Sequence, residues 1–420
     1  GTPLAKKTTF ERDPATGLLK AEIDALGRRT EYTYDAMGNL RKQISMAGTA
    51  EALTETFTYE PQYQQLASYT DGRGKTTTLS YDPVSATLTK ITNPLGHASS
   101  VTFTTAGQLS TFTTALQKTT RYTYTGTDLS LVSDPLNRTR KIFIDVLGRL
   151  SANTDPLGNR TRYDYNANDQ VNKITDALNA ATSFDYDGNG NLILVKDAKG
   201  GSTGFRYTAR NWLLSRTDPL SNYEDYTYDP NGNLKTFIDR RRQNTTASYD
   251  VLNRRSVVTY ADGSSVTYTW DAGDRLRKIV DSAGGTVDRD YDNFDRLTKE
   301  TSANGSVSYT YDKAHRRSTM TVAGQPTVNY TYDDANRLIK IEQNGASVQL
   351  AYDNANRPDF TILANGVMMD YTYDDADQLK ELRYSKGASI LGNLTYGYDA
   401  AGRRTSLGGS LAKLDWPEPM

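Results

Sequence analysis

A chain of 420 residues carries 49 Lys and Arg against 50 Asp and Glu, a net charge of −1, and has no cysteine. The balance leaves no field to gather nucleic acid or an anionic membrane, and the absence of thiols excludes disulfides and thiolate zinc sites. No apolar run reaches the roughly 18 residues that span a bilayer as a helix, and with 36% hydrophobic residues the core must be thin.

Taken in order, residues 1–30 hold an incomplete unit. Its opening Gly1-Thr-Pro-Leu-Ala-Lys-Lys has neither an initiator Met nor an apolar signal core, and reads as part of something longer. The first clear turn, Asp24-Ala-Leu-Gly27-Arg28, leads into a strand from Arg29 to Asp35. From there one pattern returns: two aromatics two residues apart, an acid, a short polar turn and a leucine. With the second aromatic as anchor, it falls at Tyr34, Tyr59, Tyr81, Phe103, Tyr124, Ile144, Tyr165, Tyr186, Tyr207, Tyr228, Tyr249, Trp270, Tyr291, Tyr311, Tyr332, Tyr352, Tyr373 and Tyr398. From Phe103 to Tyr373 the anchors keep a period of about 21 residues. The first three spacings and the last are longer, the looser ends of a repeat array. The period overrides the usual expectation of two or three domains. It predicts one array over 1–420, ending at 405–420 with no cap or toxin domain after it.

Two turn signals per unit predict two strands per unit. Between anchors stand Asp71-Gly-Arg-Gly74, Asn93-Pro-Leu-Gly96, Asp134-Pro-Leu-Asn137, Asp155-Pro-Leu-Gly158, Asp176-Ala-Leu-Asn179 and Asp218-Pro-Leu-Ser221. Asp or Asn opens such a turn, Pro presets φ, and Gly or Asn accepts the left-handed position near its end. Later, Asn304-Gly305, Asn344-Gly345 and Asn365-Gly366 predict two-residue type I′ hairpins. The residue after the anchor is Asp in 13 of 18 copies, read as a cap on turn amides. Four residues after the anchor stand Gly six times, Asn four times and Asp five times, Asp128 included, with His315 in the same slot. These types tolerate positive φ.

The next strand opens with Leu and has a second apolar residue three positions on, as in Leu88/Ile91 and Leu276/Ile279. That spacing breaks alternation and predicts a bulge. Tyr, Thr and Val mark the strands as β, and the aromatic pairs share one face. There, rings of neighbouring strands about 4.8 Å apart are expected to stack into ladders. The residues taken as the structural motif are Tyr32, Tyr34, Asp35 and Gly38; Tyr186, Asp187 and Gly190; Tyr226, Tyr228, Asp229 and Gly232; Tyr330, Tyr332 and Asp333; Tyr371, Tyr373 and Asp374; and Tyr398, Asp399 and Gly402.

Chemistry has little to build on. His97 and His315 are the only histidines and both sit in turns, so no nucleophile and base pair suggests itself. The aspartates repeat in like environments, whereas paired carboxylate catalysis needs unlike ones. Asp185-Tyr-Asp187-Gly-Asn189-Gly190 imitates the start of an EF-hand loop but has Lys196 where the twelfth-position Glu belongs. Arg240-Arg241-Arg242, the one basic cluster, reads as a solvated turn. No catalytic, metal or cofactor site is expected.

The pattern Tyr-x-Tyr-Asp-x-x-Gly-x-Leu with intervening Asp-Pro-Leu-Gly turns resembles the RHS or YD repeat family, seen in bacterial Rhs polymorphic toxins, in the C component of insecticidal toxin complexes and in teneurins. The resemblance implies an all-β array of about 18 antiparallel hairpin units, wound as a spiral ribbon or hollow-shell segment. In the toxin members that shell encloses a C-terminal toxic domain and is capped by a segment with an aspartate-dependent self-cleavage site. This chain reaches Met420 without such a segment, so no cleavage residue carries over. The implied role is a non-enzymatic shell, in an exported bacterial protein, that encloses or presents a partner polypeptide absent from this chain. Flanking shell segments would be further partners. A second reading is an adhesion surface on which tyrosine ladders stack against glycans. At roughly 4.8 Å per strand, about 36 strands make a ribbon of about 170 Å, enough for one lap with two unpaired long edges.

Overall fold

A computed structural model describes residues 7–412. The readings of the first six residues and of the terminal Asp415–Met420 stretch lie outside the described residues. Every described element is a strand, from β1 (Thr9–Arg12) to β38 (Arg404–Gly408), and all belong to one antiparallel sheet. In each described pairing a strand bonds the next one in sequence, as β21 (Tyr223–Tyr228) does β22 (Leu234–Ile238) and β22 does β23 (Asn244–Tyr249). Most strands are five or six residues long, which is the length that two turns in every repeat leave. By its contacts the chain divides into a first unit of residues 141–290 and 300–306 and a second built from the described residues up to 140, 291–299 and 307 onward.

The hairpin at β21 shows how a unit is made. Thr227 pairs with Thr236 and Tyr228 with Leu234, so Lys235 is the extra residue of a bulge. The same shift occurs at Tyr34, Tyr165, Tyr186, Tyr311, Tyr373 and Tyr398, which accounts for the three-residue apolar spacing. The turn closes when Asp229 N–H donates to the Asn233 carbonyl and Gly232 N–H to the Asp229 carbonyl. Gly232 has φ 89°, a left-handed value that costs glycine nothing.

Fifteen of the eighteen residues four after an anchor have positive φ, His315 (61°) among them. The other three depart for local reasons. After Tyr59 and Tyr81 the turn is one residue longer and Gln64 and Ala86 take the left-handed place. Asp128, counted with this set from the sequence, instead opens β12 (Asp128–Ser133) opposite Thr125, the bend falling at Gly126. The type I′ expectation also needs correction. Asn344 and Gly345 both have positive φ, but at Asn304-Gly305 and Asn365-Gly366 only the glycine does. Gly366 N–H donates to Leu363 O and Leu363 N–H to Val367 O, making the same turn as elsewhere in the array.

Burial is sparse. Among described apolar residues only Ala21, Met46, Ala47, Leu53, Ala152 and Val258 are buried. Three of them come from the first long gap, where residues 46–52 fold back through Ala47 N–H to Arg29 O and Ala52 N–H to Thr49 O.

Candidate functional site: clasped turns and a seam between turn rows

Each anchor aspartate is saturated by its own turn. Asp229 Oδ1 accepts from the N–H groups of Asn231 and Asn233, and Oδ2 from the Asn233 side chain. Asp35 and Asp187 do the same with Met37 and Asn39 and with Asn189 and Asn191. Asp187 is thus committed to a hairpin turn rather than arranged as in a calcium loop. Asp374 accepts from Ala376 and Gln378 N–H, and Asp399 from Ala401 and Arg403 N–H. The Asn233 side chain holds the Asp229 carboxyl below its ordinary range, Asn191 does so for Asp187, the Asn39 N–H for Asp35, and the Arg403 guanidinium for Asp399.

The anchor rings are held differently from the expectation. Tyr228 OH donates to Leu213 O at 2.9 Å, Tyr186 to Val171 O at 2.8 Å, Tyr332 to Arg317 O at 2.9 Å and Tyr398 to Leu379 O at 2.9 Å. Each acceptor opens the bulged strand of the preceding hairpin. A bulge disrupts the ladder, and the phenol of the next unit supplies a donor at that point. The predicted ring-on-ring ladders are largely replaced by arginines. Arg149 lies over Tyr165, Arg316 over Tyr332 (4.4 Å), Arg337 over Tyr352 and Arg357 over Tyr373 (4.3 Å). Ring pairs such as Tyr226 with Phe237 and Trp212 with Tyr228, both at 5.3 Å, are few.

The arginine stands five residues after its own anchor. Asp333 takes Arg337 N–H and Nε, and Arg337 Nη1 goes on to Asp353 O and Asn356 of the next unit. Sequence reading missed this residue, although Gly-Arg, Asn-Arg and Asp-Arg recur there.

The motif residues form rows and do not converge on one cavity. Tyr32, Tyr34, Tyr330, Tyr371 and Tyr373 are half-buried along their strands. Tyr330 OH points at Met320 Sδ, 3.9 Å away. Burial and then the neighbouring Glu22 push the Tyr32 phenol up to about 12, and burial and then Glu224 do the same for Tyr226. Gly38, Gly190 and Gly402 each bend their turns at positive φ. Tyr226 borders an apolar groove of 360 Å³ with Phe237 and Val258. Asp374, Tyr398 and Asp399 border a more polar pocket of 320 Å³ with Leu136, Arg138 and Lys380. The Arg240 cluster is more than a solvated turn. Arg240 pairs with Asp218 and Glu224, and Arg242, left-handed at φ 63°, pairs with Asp225 and covers Tyr223.

Within the second unit, turns meet turns far away in sequence. Arg28 reaches Asn293 O and Asp295 (2.6 Å), Lys75 reaches Asp334 (2.8 Å), Lys118 reaches Asp375 (2.5 Å) and Arg138 reaches Gln378 (2.7 Å). Arg73 adds bonds to the carbonyls of Asp333 and Asp334. Leu53 and the folded-back segment sit at this seam, bordering a pocket with Phe294, Tyr311, Lys313 and His315. The expectation that the whole length makes one lap with two bare edges is therefore corrected: the chain returns on itself after 240 to 267 residues. His315 Nδ1 faces Arg296 Nη1 at 3.2 Å and its ring meets Phe294.

A single-layer antiparallel array of bulged hairpins, with an Asp clasp in most repeats and an Arg-covered anchor in several, defines a β-repeat wall. The RHS Repeat family model matches residues 7–50, 145–181, 186–223, 228–265, 249–287 and 291–327, more than half of the chain. The chain belongs to the RHS repeat family. Its fold is similar to that in the crystal structure of TcdB2-TccC3-Cdc42, with a TM-score of 0.66 and 16% identity over 96% of this chain and 26% of that one. It is also similar to the Photorhabdus luminescens Tc holotoxin pore, with a TM-score of 0.64 and 15% identity over 96% of this chain and 25% of that one. The chain thus spans about a quarter of the length of these structures. No curated protein matches it.

Proposed function

We propose that the chain is a non-enzymatic segment of a shell wall that encloses a partner polypeptide, in an exported bacterial protein, with residues 1–420 acting as one array. The observation that carries this reading is the seam: a one-layer sheet that stacks turn row on turn row can extend a wall beyond the height of one hairpin. The saturated aspartates support a structural role, since a carboxylate already bonded by two or three turn donors is poorly placed as a base. The likeness to the toxin-complex structures supports a shell, with further shell segments as its neighbours. Glycan adhesion through tyrosine ladders draws no support from the anchors, whose hydroxyls donate to backbone and whose rings carry arginines.

The test is protease protection in the full-length protein that contains this array. A polypeptide held inside should resist digestion and become sensitive when Lys75→Glu and Lys118→Glu open the seam. Cleavage of that polypeptide at the rate of its free form, with the seam intact, would overturn the proposal.

A further inference from the structure

Two departures from the repeat meet in the first unit. Two residues before the anchor the sequence carries Tyr or Phe in 12 of the 18 copies, so a ring is the ordinary occupant there, but ahead of Tyr249 the residue is Ala247. The strand that follows, which most hairpins open with Leu, opens here with Arg255 (β24, Arg255–Thr259). Both residues line the 360 Å³ groove with Tyr226, Phe237 and Val258. Two other repeats show what such an arginine does. Arg317 and Arg404 also stand in place of the leucine, and each guanidinium lies over the ring two residues before its own anchor, Arg317 over Tyr309 (4.5 Å) and Arg404 over Tyr396 (5.8 Å). At Arg255 that ring is the missing one. Among the described residues, neither its guanidinium nor the ammonium of Lys235, which borders the same groove, has a hydrogen bond, an ion pair or a ring contact.

We propose that this groove binds a polypeptide partner through one aromatic side chain flanked by carboxylates. The ring lies where the array omits its own, beneath Arg255 and against Tyr226, Phe237 and Val258, and the carboxylates meet Lys235 and Arg255. A guanidinium over a ring face is attractive, and Tyr226 and Phe237, already paired at 5.3 Å, offer further ring contact. Charge complementarity gives the neighbours of the ring, since both cations at the groove lack an acid from their own chain. The carrier follows from the row itself: the rings that fill this place elsewhere are Tyr and Phe side chains on extended backbone. Strands β22, β23 and β24 are each paired on both sides, so no further strand of the wall can join the sheet here. The occupant therefore reaches the groove by a side chain laid on the face of the sheet. At 360 Å³ the space is near the lower bound of ligand pockets, roughly 300–1,000 Å³, and suits one residue rather than a folded surface. The site is independent of enclosure, because the groove takes the segment wherever the rest of the partner lies.

Saturation-transfer NMR on the whole chain tests this with the end-blocked peptides Asp-Tyr-Asp, Asp-Ala-Asp and Lys-Tyr-Lys and with N-acetyl-tyrosinamide. Asp-Tyr-Asp should take saturation at its ring protons, Asp-Ala-Asp should not bind, and the other two should bind more weakly than Asp-Tyr-Asp. Ala247→Tyr supplies the missing ring and should abolish binding, with a melting temperature unchanged or raised. Arg255→Leu restores the residue that most repeats carry and should weaken binding at least about twofold, the effect of an exposed cation over a ring; if Ala247→Tyr does not fold, this variant decides alone. A native chain that does not bind Asp-Tyr-Asp, or a folded variant that binds it with native affinity, would overturn the proposal. So would equal affinity for Asp-Ala-Asp or Lys-Tyr-Lys, or for N-acetyl-tyrosinamide, which would mark a site for free aromatic molecules instead.

Discussion

An arginine five residues after the anchor does three jobs at once. Arg254 grips Asp250 (Nη2 to Oδ2, 2.7 Å), sends Nη1 to Asp274 at 2.8 Å and Asp271 O at 3.1 Å, and covers the Trp270 ring. A planar fork can do this and an ammonium cannot. Arg254→Lys keeps the charge yet should destabilise the array by about 2 kcal/mol, since a hydrogen bond to a charged group contributes roughly 1.5–3 kcal/mol. Denaturant melts give the value. Where the arginine itself is solvated, as at Arg403 (64% exposed) in its pair with Asp399, the same change should cost much less, because solvent screens the arginine's share of the pair. At this scale the sequence was half legible. The Asp caps and left-handed slots follow from residue type alone. The arginine escaped because basic residues at turns read as solvated until their partners in the next unit are known.

For the elements, period and turn chemistry placed strands and bulges in advance, since both depend on neighbours in sequence. The folded-back segment at 46–53 appeared only as a wide spacing between Tyr34 and Tyr59, and nothing local said that it would supply half of the buried apolar side chains. Its fit can be tested at Gly72. A Cβ there would lie 2.2 Å from Leu53 Cδ1 and 3.0 Å from Lys313 O, at a backbone conformation any residue can adopt. Gly72→Ala should therefore destabilise by about 1–3 kcal/mol through overpacking. Adding Leu53→Ala should recover part of that loss. Thermal melts of the single and double variants decide, and two independent, additive losses would show that the two residues do not press on each other.

For the whole molecule, the clasped aspartates set the response to acid. Burial alone would raise the carboxyls of Asp24, Asp271 and Asp312, but hydrogen bonds from turn amides and arginines outweigh it and hold all three below their ordinary range. A depressed carboxyl contributes stability above its unfolded pKa, about 3.9 for Asp, and that contribution disappears as pH falls through the folded value. The melting temperature should therefore stay level from pH 7 to about pH 5 and drop steeply below about pH 4. A drop centred near pH 6 would mean that the clasped aspartates do not govern acid stability. The return of the chain on itself could not be foreseen, because its contacts lie some 260 residues apart and leave no short-range pattern. The Arg and Lys at the fifth turn position were its one trace.

That return makes the number of repeats behave like a reading frame. Strands bond only their sequential neighbours in the described pairings, so losing one repeat between residues 141 and 290 would break no hairpin elsewhere. It would, however, slide the seam by one turn. Arg28 would then face Lys313 and His315 in place of Asp295, Lys75 would face Asn354, and Lys118 would face Ala400. Gaining a repeat would set Lys75 against Lys313. Unequal recombination within so repetitive a gene would thus yield proteins that fold locally and fail at the seam, a selection on copy number that no single repeat records.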